Sequence, residues 1–398
     1  MGNPYPLKRN AGKSFQGSIV LGKGFVLTSE EAQSLIAKDA RNKDVLFPYL
    51  NGDDLNNDPE QKPSRWVINF FDWPEEKART YPDCFEIIER LVKPERQRWK
   101  LGENGKEIVG TYSLRKPLPQ KWWVYGEKRP ALYETISQLD QVMAISEVTK
   151  YVNFNFVSTD MVFMHTLKIL AFSDWTNFSV LSSSIYCEWS WKYSSTMGSG
   201  TLRFTPSTCF DTFPFLIDIS DDIKQLLSNM GRSLFSKRKE LMELTQLGFT
   251  KLYNQFHNRD LKTIRSEDLF LDDKLFQKQY GKDCLALKRQ LEIVNSNKVY
   301  NSVVEKIEKL RSLQVEIDQL ILRAYKWNDI QLNHDFYSLE YLPDGDRIRF
   351  AIHPIARKEI LVRLLKLNHT EYADQRDINA ARVTQVNVNP KKTLPTLF

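Results

Sequence analysis

The residues best suited to chemistry gather in a short polar segment, Ser194-Ser195-Thr196-Met197-Gly198-Ser199-Gly200-Thr201-Leu202-Arg203. It is small, rich in hydroxyls and closed by a lone arginine. Such groups recognise more readily than they react: arginine can pair bidentately with guanine, and serine or threonine can contact either kind of base edge. Ser194, Ser195, Ser199, Thr201 and Arg203 are therefore candidate base readers, with Asn153 and Asn155 on a neighbouring polar strand face. Cationic clusters supply the complementary chemistry. Lys93-Pro94-Glu95-Arg96-Gln97-Arg98-Trp99-Lys100 sets four cations around one tryptophan. The stretch from Arg115-Lys116 to Lys121-Trp122-Trp123 is basic, proline-broken and aromatic. Arg96, Arg98, Lys100, Arg115, Lys116, Lys121, Lys150, Arg232, Lys237, Arg238 and Lys239 are the candidates for phosphate contact, since cations are what a phosphate backbone requires. Each group also has a plainer reading: a solvated helix face, a surface turn, or a connection in which Arg203 pairs with a carboxylate. Arg65 and Trp66, which precede a buried strand, read as packing, and His165 reads as a core or edge histidine.

Reactive constellations are missing. Gly12-Lys13-Ser14 resembles the end of a phosphate-binding loop, but the glycine that loop needs at position 7 is Leu7. Gly22-Lys23-Gly24 lacks the last glycine of a cofactor turn, where Leu27 stands, and reads as a tight turn. Asn3-Pro4-Tyr5 looks like a damaged copy of the Asn/Asp-Pro-Pro-Tyr/Phe loop of amino-methyltransferases, and no Pro-Pro pair occurs anywhere in the chain. No Gly-x-Ser-x-Gly elbow exists, and no Pro-Asp is followed at nuclease-like spacing by an acidic-x-Lys pair. Cys84, Cys187, Cys209 and Cys284 are far apart and the five histidines are scattered, which argues against a metal site or disulfide framework. Catalytic, cofactor-binding and metal-binding residues are accordingly expected to be absent.

The elements that must position the candidates follow from periodicity. Residues 1–24 read as a connector. A helix is predicted from an N-cap at Ser29 to about Lys38, an acidic loop over 51–59, a buried strand over 66–71 and a helix over 75–93 with a turn at 81–83. Residues 142–172 read as sheet, with Val152, Phe154 and Phe156 alternating against Asn153 and Asn155. Phe178, Leu181, Ile185 and Trp189 predict one helix over 177–193. Between Tyr151 and Ile217 there are 15 aromatics but only three basic residues, Lys168, Lys192 and Arg203, so most of this segment is core. After Phe213-Pro214 the pattern turns helical. Ile223, Leu226, Leu227, Met230 and Leu234 mark one helix, Leu310, Leu313, Ile317, Leu320 and Ala324 form a 3,4 seam, and Pro354 opens a helix carrying Ile360, Leu364 and Leu367. The fold class expected is α+β: a mixed α/β region over 25–217, a mainly helical region over 218–373 and a flexible tail over 374–398.

The formal charge of +6 is unevenly placed: residues 1–220 balance 26 cations against 26 anions, whereas residues 221–398 hold 30 against 24. That mildly favours a polyanionic partner. No stretch approaches the ~20 apolar residues of a membrane span, so the expectation is a cytoplasmic protein without membrane contact.

Several runs together carry a family resemblance. They are Gly24-Phe25-Val26-Leu27-Thr28, Asp44-Val45-Leu46-Phe47-Pro48-Tyr49-Leu50-Asn51-Gly52-Asp53-Asp54-Leu55-Asn56, Ser64-Arg65-Trp66-Val67-Ile68-Asn69-Phe70, Trp122-Trp123 with Glu127-Lys128-Arg129-Pro130, Arg203-Phe204-Thr205-Pro206-Ser207 and Phe213-Pro214-Phe215. In this order, from about residue 12 to 370, the chain resembles the target-recognition region of MmeI-like adenine-specific DNA methyltransferases of type II restriction–modification systems. The resemblance implies a module that binds double-stranded DNA and serves a methyltransferase domain, separate or lost, in which S-adenosylmethionine would bind. It also implies specificity-determining residues near 194–203. Three alternatives stand beside it: a protein-interaction subunit using the 310–324 seam without DNA contact, a complete enzyme with an unfamiliar site, and a non-functional remnant of a split enzyme.

Overall fold

A computed structural model describes residues 2–198 and 200–387 of the chain. Two four-stranded sheets organise the first half. One is antiparallel, with Ser14–Gln16, Leu167–Leu170, Gln141–Ser146 and Asn155–Ser158 side by side. The other sets Val162–Phe163 parallel to Leu46–Leu50, followed by antiparallel Arg65–Ile68 and Val26–Thr28. With the helices of the second half, the architecture is α+β, as expected.

Local chemistry explains where the helices begin. The helix Ser29–Lys38 is capped by Thr28, one residue earlier than predicted: the Thr28 hydroxyl accepts from the Glu31 N–H, and Glu31 accepts in return from the Thr28 N–H. Asn51 and Asp54 make the same reciprocal box, so the acidic stretch expected to be a loop contains the helix Gly52–Asn57. The helix expected over 177–193 is two, Trp175–Leu181 and Ser184–Tyr193. Ser183 breaks the run because its hydroxyl accepts from the Tyr186 N–H and starts a new helix instead.

Residues 1–24 are not a connector. Ser14–Gln16 is an edge strand of the first sheet, Leu7 is buried, and the Asn10 amide donates to the carbonyls of Phe210, Asp211 and Phe213. Nor does a flexible tail begin at 374: the last helix runs Pro354–Asn387, and Lys8 N–H donates to Gln375 at 3.0 Å. Residues 388–398 of that expected tail lie outside the described residues.

Composition changes at 217, but packing does not. One hydrophobic core takes in Met143, Phe154 and Trp189 from the first half and Leu241, Ile317 and Leu364 from the second. The helices Asp221–Thr245 and Tyr300–Ala324 lie against each other in it. Leu310, Leu313, Ile317 and Leu320 of the 3,4 seam are all buried there, so the surface on which an interaction subunit would have relied is spent inside the fold. Leu226 and Leu367, expected on apolar faces, are exposed. Among the described residues no helix is long and apolar enough to cross a membrane.

Candidate nucleic-acid interface

The polar segment 194–203 is a hairpin rather than a loose loop. Ser195–Thr196 pairs antiparallel with Leu202–Arg203, which pairs in turn with Val148–Thr149. The Met197 N–H donates to the Thr201 carbonyl across the turn, and Gly198 and Gly200 take φ of 63° and 81°, a region in which residues with a Cβ are strained. Buried Leu202 and Phe204 anchor the returning strand, and the alternation of the strand turns Arg203 outward between them.

Glu147 decides how Arg203 is held. Its carboxylate accepts from Arg203 Nε at 2.8 Å and from Lys168 Nζ at 3.0 Å. Burial pushes this carboxyl up, but the hydrogen bonds from Lys168 and Arg203 outweigh it and leave its pKa below the ordinary glutamate value. Two of the three cations in the aromatic-rich segment thus converge on one carboxylate. Arg203 spends only its Nε edge on this pair. Its side chain remains 54% exposed, and among the described residues no partner takes its terminal nitrogens.

Arg203 and Glu147 stand in the wall of an open groove with Asn51, Asp53, Arg65 and His165. The groove therefore brings together five separate parts of the chain: the capped helix Gly52–Asn57, the first residue of the strand Arg65–Ile68, the bend at Glu147, the turn around His165, and the hairpin. Arg65, expected to be a packing residue, is exposed here. Glu147 was not singled out by sequence; the available signal was a carboxylate interrupting the apolar run 142–152. Ser194 accepts from the Thr205 N–H at 3.4 Å, and Ser195 is exposed on the hairpin. Thr201 is half-buried at the turn, and Ser199 lies outside the described residues.

Other candidates lie elsewhere. Asn153, Asn155 and Lys150 do not line the groove with Arg203, because the chain leaves the hairpin's sheet after Thr149, runs through 150–154 outside any strand, and enters the four-stranded sheet at Asn155. Asn155 is buried beside a second cleft with Arg238, Asn153 lines a third, and Lys150 is engaged by Asp346 at 3.0 Å and Asn254 at 2.9 Å. Two expected phosphate ligands are interior pins. Arg96 is 1% exposed and donates to the carbonyls of Val20, Leu21, Lys121, Trp122 and Val124; burial lowers its pKa to about 10. Arg238, equally buried, donates to the Phe154 carbonyl at 2.9 Å and stacks near Phe178 and Phe249. Neither guanidinium can reach a phosphate. Arg98, Lys100, Arg115, Lys116, Lys121, Arg232 and Lys239 are exposed and Lys237 half-buried. Of these, Lys121 lies 3.8 Å from Asp72 and Lys239 3.8 Å from Glu243.

Comparison with known proteins assigns the chain to a family. No curated protein matches the chain. Among solved structures it is similar to the Type IIL restriction-modification enzyme MmeI in complex with DNA, at 16% identity and a TM-score of 0.47. That match covers 80% of this chain and 36% of the other, so the chain spans little more than a third of its solved relative. The family model of the MmeI target recognition domain matches residues 10–216, more than half of the sequence and the whole of the groove with its hairpin. The chain belongs to the MmeI target recognition domain family.

Proposed function

We propose that this chain reads a short DNA sequence for an adenine-specific (N6) DNA methyltransferase of a restriction–modification system. The observation that carries the reading is Arg203: an exposed guanidinium, fixed along one edge by Glu147 on a strand-borne hairpin within the family-matched region. A planar fork held in one orientation suits the paired acceptors of guanine in the major groove. Exposed Ser195 and half-buried Thr201 offer hydroxyls beside it, and Arg65 adds a cation across the groove. Duplex DNA is thus the partner, with exposed cations taking phosphates and the hairpin taking base edges.

Methyl transfer belongs in this reading to a domain that these 398 residues do not supply, where S-adenosylmethionine would bind and an extruded adenine would be received. The glycine turn at 22–24 does not suit that cofactor. It packs under the end of the helix Pro82–Leu91, and a Cβ on Gly24 would lie 2.4 Å from Leu91 Cβ.

Selection of bound duplexes from a random pool by the purified chain tests the proposal. Enrichment of one short sequence, with binding that weakens steeply as salt rises, is the expected result. Indifference to every duplex at low salt ends it.

A further inference from the structure

The ribbon Trp99–Leu101/Glu107–Tyr112 stands apart from the hydrophobic cores. Every residue from Glu103 to Thr111 is exposed, and none from Arg98 to Pro117 belongs to a buried cluster. Its base is closed by Trp99 stacked on Tyr112, with ring centroids 4.7 Å apart and planes 6° apart. Its tip turns through Asn104-Gly105, where Gly105 adopts φ 71°. Between base and tip, Leu101, Ile108 and Val109 are 58%, 44% and 78% exposed. A two-stranded ribbon is marginal by itself, and apolar side chains along it favour a partner that covers them.

Charge identifies the partner. From Arg98 to Lys116 the chain carries five cations, Arg98, Lys100, Lys106, Arg115 and Lys116, against two carboxylates, Glu103 and Glu107. Among the described residues none of the five cations joins an ion pair, although exposed cations elsewhere, such as Lys38 and Arg79, do. Unpaired cations flanking apolar side chains match the two surfaces that a DNA groove offers together, phosphates at its rims and the apolar faces of deoxyribose along its walls. Six residues of extended chain reach about 20 Å, enough to cross a groove roughly 12 Å wide.

We propose that this ribbon is a second DNA-binding arm, gripping the duplex beside the recognised site without reading its sequence. The inference rests on the DNA-recognition reading above. Its test uses the full chain, a Lys100→Gln/Lys106→Gln double variant and a Val109→Glu variant. The probe is a duplex carrying the sequence the wild-type chain enriches, with random-sequence flanks. Loss of two phosphate contacts lowers the slope of log affinity against log salt by about two. Hydroxyl-radical protection then recedes on one flank, base preferences stay as they were, and Val109→Glu shortens the same flank. Wild-type slope and footprint in the variants, while the chain still selects its sequence, overturn the arm and leave the recognition reading standing. Unchanged DNA binding with loss of a co-purifying protein reassigns the ribbon to protein docking. A wild-type chain that binds no duplex overturns both.

Discussion

Glu147 holds the Nε edge of Arg203 at 2.8 Å, and among the described residues no hydrogen-bond partner takes the terminal nitrogens. The arginine is oriented without being consumed. Arg203→Ala is expected to lose discrimination at one base pair by about 1–3 kcal/mol in competition gel shifts. Arg203→Lys restores little of it, because a point charge cannot reproduce the fork. Equal loss on every sequence would assign Arg203 to a phosphate.

Glu147 also balances Lys168, whose side chain is only 11% exposed. Glu147→Gln leaves that ammonium without its charge partner and is expected to cost on the order of 3 kcal/mol in urea unfolding. The sign with pH follows from the direction of the shift. The folded-state pKa of Glu147 lies below its ordinary value of 4.5, so the stability it contributes is present above that value and lost as pH falls through the lower folded pKa. The gap between wild type and Glu147→Gln should therefore hold at neutral pH and narrow in acid below about 4.5. A gap that stays constant throughout refutes the assignment.

Arg96 and Arg98 stand two residues apart and should behave oppositely. Arg96→Ala strands the backbone carbonyls of Leu21, Trp122 and Val124 and is expected to destabilise the fold by about 3–5 kcal/mol. Arg98→Ala should leave the melting curve in place and reduce the salt slope of DNA binding by about one. A stable Arg96→Ala protein with weakened DNA affinity would return Arg96 to the phosphate ligands.

Gly231 lets the helix Asp221–Thr245 approach the helix Trp175–Leu181. A Cβ there would sit 2.6 Å from both Ser179 Oγ and the Trp175 carbonyl oxygen. Gly231→Ala should cost about 1–3 kcal/mol through overpacking despite the better helix propensity of alanine. Thermal unfolding measures it, and an unchanged or raised melting temperature counts against this close contact.

Much of the architecture was legible along the chain because its causes are local. The helix start, expected at Ser29 and found capped by Thr28 next to it, and the seam from Leu310 to Leu320 each depend on neighbours within a few residues. The α+β class follows from such patterns, and the expectation of recognition near 194–203 comes from the family resemblance, whereas that segment reads as a loop in sequence and forms a hairpin in the fold. Only the tertiary structure decided which cations face water. Arg96 and Arg98, or Arg238 and Lys239, are alike in sequence, and their fates differ because distant groups happen to enclose one member of each pair, a ring of carbonyls around Arg96 and the Phe154 carbonyl with the rings of Phe178 and Phe249 around Arg238. The meeting of Glu147, Lys168 and Arg203, 56 residues from first to last, likewise required strands of two sheets to come together at the bend that holds Glu147. Electrostatic pairing and burial are set by distance in space, and no spacing along the chain encodes that distance.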